Sequence, residues 1–237
     1  MSKHRSITLL AVVLISMILS IKVNAGLIVA VSDSNIQNNT TLFNNAFGGD
    51  DVYGRLGVTK TWASLNWSGS ITAAANNYSN GATVVASDLI GIEWVIAGSA
   101  TPWTAAELTL LSSFASSGGN IWVVGEYGPL HADISASGNA LLASLGSLMS
   151  FDSSANFGND AANISAHVLT AGVTLWDGAA AGRIIGGHAL ATDNGGDVFL
   201  AYENVGINPN PIPEPATLVL MGLGLAGIGF RRKRNAG

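Results

Sequence analysis

The chain has 237 residues, no cysteine, ten Lys and Arg against fifteen Asp and Glu, and a formal net charge of -5. Without cysteine, disulfides, thiolate catalysis, Cys-ligated zinc and the acylated cysteine of a bacterial lipoprotein are excluded. Seven of the ten basic residues fall in the two ends, so the span from Gly26 to Ile212 holds only Arg55, Lys60 and Arg183 against fourteen carboxylates; it has no basic patch to neutralise phosphates, which argues against nucleic acid and an anionic membrane surface as partners.

Lys3, His4 and Arg5 form a positive start, Ile7 to Ile21 an apolar stretch, and Val23-Asn24-Ala25 a small-residue cleavage site. This pattern predicts a signal helix over residues 1–25, removed after Ala25. Val23 and Ala25 occupy the positions that specify cleavage, so signal peptidase and the general secretion machinery are expected partners.

The 187 residues from Gly26 to Ile212 suffice for one ordinary domain, placed at residues 26–208. Leu27 to Val31 is a continuous apolar run, as in a strand buried on both faces. Ser32 to Asn35 reads as a turn, Thr41 to Phe47 as a short helix, and Gly91 to Gly98 as a second buried strand. Thr104 caps the clearest helix, with Glu107 three residues on, Leu108, Leu111 and Ala115 along one face, and Gly118-Gly119 as the stop. Ile121 to Gly125 is a third strand, Ala140 to Leu148 a Leu-rich helix, and Arg183–Ile185 and Val198–Tyr202 late strands. Alternating strands and helices with few hairpin signals predict an α/β fold, a mostly parallel sheet with helices on both faces.

Leu108, Leu110, Leu111 and Phe114, leading into Ser117-Gly118-Gly119-Asn120-Ile121-Trp122-Val123-Val124-Gly125-Glu126 and a Leu-rich helix, resemble the core of class I glutamine-amidotransferase-like proteins. His167-Val168-Leu169-Thr170-Ala171-Gly172-Val173 resembles a segment of their ThuA-like relatives. The resemblance implies a flavodoxin-like fold. In active members of that family a nucleophilic Cys occupies the turn after the strand corresponding to Ile121–Val124. Here the turn reads Gly125-Glu126-Tyr127-Gly128, so the resemblance implies no amidotransferase chemistry.

Ligands bind at the carboxyl ends of parallel strands, and Glu126, Tyr127, His131 and Asp133 follow one such end. Glu126, His131 and Asp133 are the residue types that ligate a hard divalent metal, and Glu126 with His131 suits acid/base work. The competing reading is a polar loop with its turn at Gly128-Pro129. His167, Arg183 and His188 read as satisfied core or rim groups, and Gly186-Gly187 lacks the Lys and the spacing of a phosphate loop. Neither a cofactor nor a resident metal is expected. Trp62, Trp67 and Trp103 are candidates for stacking on sugar rings, whereas Trp94 and Trp122 lie inside strands and should be core.

The tail holds the most specific pattern. Pro213-Glu214-Pro215 precedes an apolar run from Ala216 to Phe230, followed by Arg231-Arg232-Lys233-Arg234. As a helix those fifteen residues reach about 22 Å, a short transmembrane helix at 216–230 with the cations on the cytoplasmic side. The order of tripeptide, helix and basic cluster at residues 209–237 resembles the PEP-CTERM sorting signal of Gram-negative bacteria. That resemblance implies an exosortase-type membrane protease cutting near Pro213-Glu214-Pro215, and delivery to the cell surface or the exopolysaccharide matrix after transient anchoring in the inner membrane. The reading that results is an exported, non-enzymatic surface or matrix protein, with exopolysaccharide as a possible partner. Its alternatives are a carbohydrate-active hydrolase using Glu126 with Asp33 or Asp133, and a carbohydrate-binding module.

Overall fold

A computed structural model of the protein describes residues 26–32, 40–56, 69–152, 163–174 and 182–205. The chain divides between Val205 and Gly206, and the architecture below is that of the first unit. The expected helices over 1–25 and 216–230 lie outside the described residues. Among the described residues no helix is long and apolar enough to cross a membrane.

Among the described residues ten strands form one sheet: β1 (Leu27–Val31), β2 (Asp51–Arg55), β3 (Asn77–Asn80), β4 (Trp94–Ala97), β5 (Asn120–Val124), β6 (Ser150–Asp152), β7 (Asn163–Ile164), β8 (Arg183–Ile185), β9 (His188–Thr192) and β10 (Val198–Asn204). The order is β3-β2-β4-β5-β1-β10-β8-β6, with β9 pairing β10 and β7. Every pairing from β3 to β1 is parallel, and every pairing from β1 through β10 onward is antiparallel. The expectation of a mostly parallel, flavodoxin-like sheet is therefore corrected: the sheet is mixed, and its two halves meet at β1. In the flavodoxin order 2-1-3-4-5 the first strand lies between the second and third, whereas here β1 lies between β5 and β10.

The reason lies in the connections. A parallel pair needs a crossover of a dozen or more residues, but only five residues separate Thr192 from Val198. They close a hairpin in which the Asp193 N–H donates to Asp197 O (3.1 Å), the Asp197 N–H donates to Asp193 Oδ1 (2.9 Å) and Gly196 takes φ +87°. A side chain is disfavoured at such a φ, so Asn194-Gly195-Gly196 is a turn signal that specifies antiparallel pairing.

Each face of the sheet carries a core cluster. On one face Leu42, Phe43, Ala46 and Phe47 of α1 (Thr40–Phe47) and Ile71 of a helical stretch at residues 69–74 pack on Val29, Val31, Val52, Trp94, Ile96, Trp122 and Val124. Phe47 meets Trp94 and Trp122 edge-on, both at 5.3 Å between centroids, the arrangement that aromatic quadrupoles favour. On the other face α2 (Ala105–Ser116) and α3 (Gly128–Ser144) bury Leu111, Ala115, Leu141 and Leu142 against Ile28, Ala30, Val95, Ile121 and Val123. Thr104 and Glu107 form the expected capping box. The Leu-rich helix, expected over Ala140–Leu148, starts at Gly128 with Pro129 in its first turn and stops at Ser144, leaving Leu148 85% exposed. Pro is tolerated there because the first helical N–H groups have no partner within the helix.

Candidate functional site

The carboxyl ends of the parallel strands carry Ser32 just beyond β1, Arg55 at the end of β2, Gly98 beyond β4 and Glu126 beyond β5. Ser32 is fully buried, and its hydroxyl donates to Gly182 O (3.0 Å). Glu126 is only 2% exposed. Its N–H donates to Ser135 Oγ (2.9 Å), and the Ser135 hydroxyl donates back to Glu126 O (2.8 Å). The carboxylate turns onto its own chain, Oε1 accepting the Tyr127 N–H at 2.9 Å. Gly182 packs against the main chain here: a Cβ there would stand 3.0 Å from Glu126 O and 3.4 Å from Asp152 O.

The other three candidates are set out along the start of α3. Tyr127 is half-buried at the helix N-cap, and its carbonyl accepts the His131 N–H at 2.9 Å. His131 has non-helical backbone angles (φ -144°, ψ 40°) that kink the helix, so the polar-loop alternative gives way to a broken first turn. Asp133 is exposed and accepts the Ile134 N–H on Oδ1 (3.0 Å). Among the described residues no group of three or more Asp, Glu or His is arranged to hold a metal ion. Glu126 is thus buried and Asp133 exposed. Asp33, Trp62 and Trp67 lie outside the described residues, as do the sorting and cleavage residues Val23, Ala25, Pro213, Glu214, Pro215, Arg231, Arg232, Lys233 and Arg234.

A different constellation, absent from the sequence reading, occupies the end of β2. Arg55 is 1% exposed; its Nε donates to Glu107 Oε1 at 2.9 Å, its Nη1 to Thr101 O at 3.0 Å and its Nη2 to Pro102 O at 3.2 Å. The guanidinium carbon stands 3.9 Å from the Trp103 ring centroid, in cation–π range. Glu107 also accepts the Thr104 N–H and hydroxyl (both 2.9 Å) and the Val84 N–H (3.2 Å). Burial by itself pushes the Glu107 carboxyl up, but the Thr104 hydrogen bonds and the Arg55 charge together hold it below its ordinary range. Trp103, a candidate sugar platform, has one face over Arg55 and donates Nε1–H to Ser137 O (3.1 Å). Every one of these polar contacts is internal, so the arrangement is a structural lock. The signal for it was the rarity of cations: an Arg at the end of a strand, with few others in the chain, requires a partner once buried.

On the antiparallel half, His167 packs tilted against Tyr202 at 4.3 Å between centroids, and His188 lies 5.2 Å from the same ring. The His167 Nδ1 accepts the Leu169 N–H (3.2 Å), and burial lowers its pKa. Arg183 pairs with Asp152 and with Asp197 (3.4 Å). A groove of about 450 Å³ between α2 and α3 is lined by Leu108 and small hydroxyl residues. Four of those hydroxyls donate to backbone carbonyls: Thr109 to Ala105, Ser112 to Ser144, Ser113 to Thr109 and Ser144 to Leu141.

Residues 211–234 match the PEP-CTERM protein-sorting motif. No curated protein and no solved structure matches the chain. The motif marks a secreted protein processed at the membrane and implies an exosortase as the processing enzyme. The sorting signal read from the tail is borne out. The amidotransferase-like resemblance finds no support, and the position of β1 beside β10 is at odds with the flavodoxin-like fold it implied.

Proposed function

We propose that the protein is a non-enzymatic component of the cell surface or exopolysaccharide matrix of a Gram-negative bacterium. It is exported through its signal peptide, held briefly in the inner membrane by residues 216–230, and released by an exosortase acting near Pro213-Glu214-Pro215. The observation that carries this reading is the sorting motif at residues 211–234. The two prolines keep the tripeptide extended and accessible beside the bilayer, and Arg231 to Arg234 stay on the cytoplasmic side. The burial of Glu126 and the internal bonding of Arg55 and Glu107 favour a structural role over catalysis.

Replacing Pro213-Glu214-Pro215 by three alanines should leave membrane insertion intact and trap the protein uncleaved in the inner membrane. Fractionation with C-terminal mass spectrometry checks this in a host with the protease. A wild-type mature protein that still ends at Gly237 would show the tail to be only an anchor.

A further inference from the structure

Gly26 is the residue that signal-peptide removal would leave at the front of the chain, and it is buried. Its carbonyl accepts the Val205 N–H at 2.7 Å, and the N–H of the following Leu27 donates to Asn120 Oδ1 at 2.9 Å. The start of β1 is thus pinned on both sides. A Cβ on Gly26 would stand 2.1 Å from the carbonyl oxygen of Gly119 and 2.7 Å from that of Ala115. Both oxygens belong to the C-terminal end of α2 and the turn that follows it. Since the nitrogen and a Cβ would share one Cα, the Gly26 nitrogen lies within about 5 Å of both.

We propose that removal of the signal peptide converts this nitrogen from a neutral amide into an α-ammonium bound at the C-terminal end of α2, so that processing itself adds the charge this site accepts. The proposal rests on the reading of residues 1–25 as a cleaved signal. The C-terminal end of a helix carries partial negative charge and favours a cation, yet the last turn of α2 has no basic residue. A free α-amino group is mostly protonated at neutral pH. The packed elements also carry two carboxylates. Glu203 on β10 is the neighbour of Ile28 in register, its carboxylate accepting the Ser147 hydroxyl (2.6 Å) and the Leu148 N–H (3.1 Å). Glu93 lines a groove with Gly118, Gly119 and Asn120, its carboxylate accepting the Asp51 N–H (2.7 Å). β1, β5, β10 and α2 contain no Lys or Arg to compete.

The test secretes the full chain in two forms, wild type and one with a single Ser inserted between Ala25 and Gly26, which moves the new amino group one residue away from α2. N-terminal sequencing is followed by the pH dependence of the α-amino acetylation rate. The wild type should start at Gly26 and its amino group should titrate about one pH unit higher than that of the extended form, a difference that vanishes in denaturant. A Gly26 start with the same or a lower titration midpoint overturns the ammonium site alone. A start elsewhere overturns the signal-peptide reading and the site with it.

Discussion

Arg55 shows how much one side chain can organise in a span so poor in cations. Buried at the end of β2, it joins the carboxylate of Glu107 to the carbonyls of Thr101 and Pro102 under the Trp103 ring. Removing one member leaves the other charge buried and uncompensated, so Glu107→Gln should destabilise the protein by about 3 kcal/mol in urea unfolding. The pH dependence has a definite sign. Because folding lowers the Glu107 pKa, its contribution is complete above the unfolded carboxylate range, near pH 4.5, and is lost as pH falls through the folded value. Urea midpoints measured downward from pH 6 should decline less in Glu107→Gln than in the wild type; parallel declines would show that the carboxylate is not what titrates. Glu107 was legible in the sequence only as a capping residue. Its second role depended on Arg55, fifty-two positions away, and no local pattern encodes that pairing.

The elements that could be read were those whose local signals agree. α2 has a cap, a reciprocal Glu, an apolar face and a glycine stop, with Gly118 at φ +100°. The hydroxyl of Thr104 accepts the Glu107 N–H at 3.2 Å, so Thr104→Ala should cost about 1 kcal/mol in thermal or chemical unfolding; no loss would mean that Glu107 alone holds the first turn. β1, β4 and β5 announce themselves as apolar runs. β2 (Asp51-Val52-Tyr53-Gly54-Arg55) and β3 (Asn77-Tyr78-Ser79-Asn80) do not, because their Asp, Gly and Asn residues are poor strand formers and tertiary pairing overrides that preference. The start of α3 was hidden by the Gly-Pro pair, which reads equally as a turn. The candidate crevice suffered the same way: Glu126 followed the end of β5 as expected, but its main chain is bonded at both N–H and carbonyl to the Ser135 hydroxyl of α3.

At the scale of the molecule, periodicity conveyed strands buried on both faces but not the direction in which the last ones run. A five-residue turn made β9 and β10 antiparallel to each other, which alone rules out an all-parallel sheet. β10 holds the result together, because it alone joins the parallel half, through β1, to the described antiparallel strands. A chain truncated after Asp197 should therefore remain fully protease-sensitive, whereas the chain retaining Val198 to Val205 should resist digestion; a resistant truncated form would show that the parallel half folds alone. Passage through a membrane pore proceeds from the N-terminus, and Val205 lies eight positions before Pro213. On the proposed export route, the first strand to emerge would wait for the last before its open edge is covered. Closure would then fall due as the sorting tripeptide reaches the bilayer, so that on this route the moment of folding and the moment of sorting coincide in time.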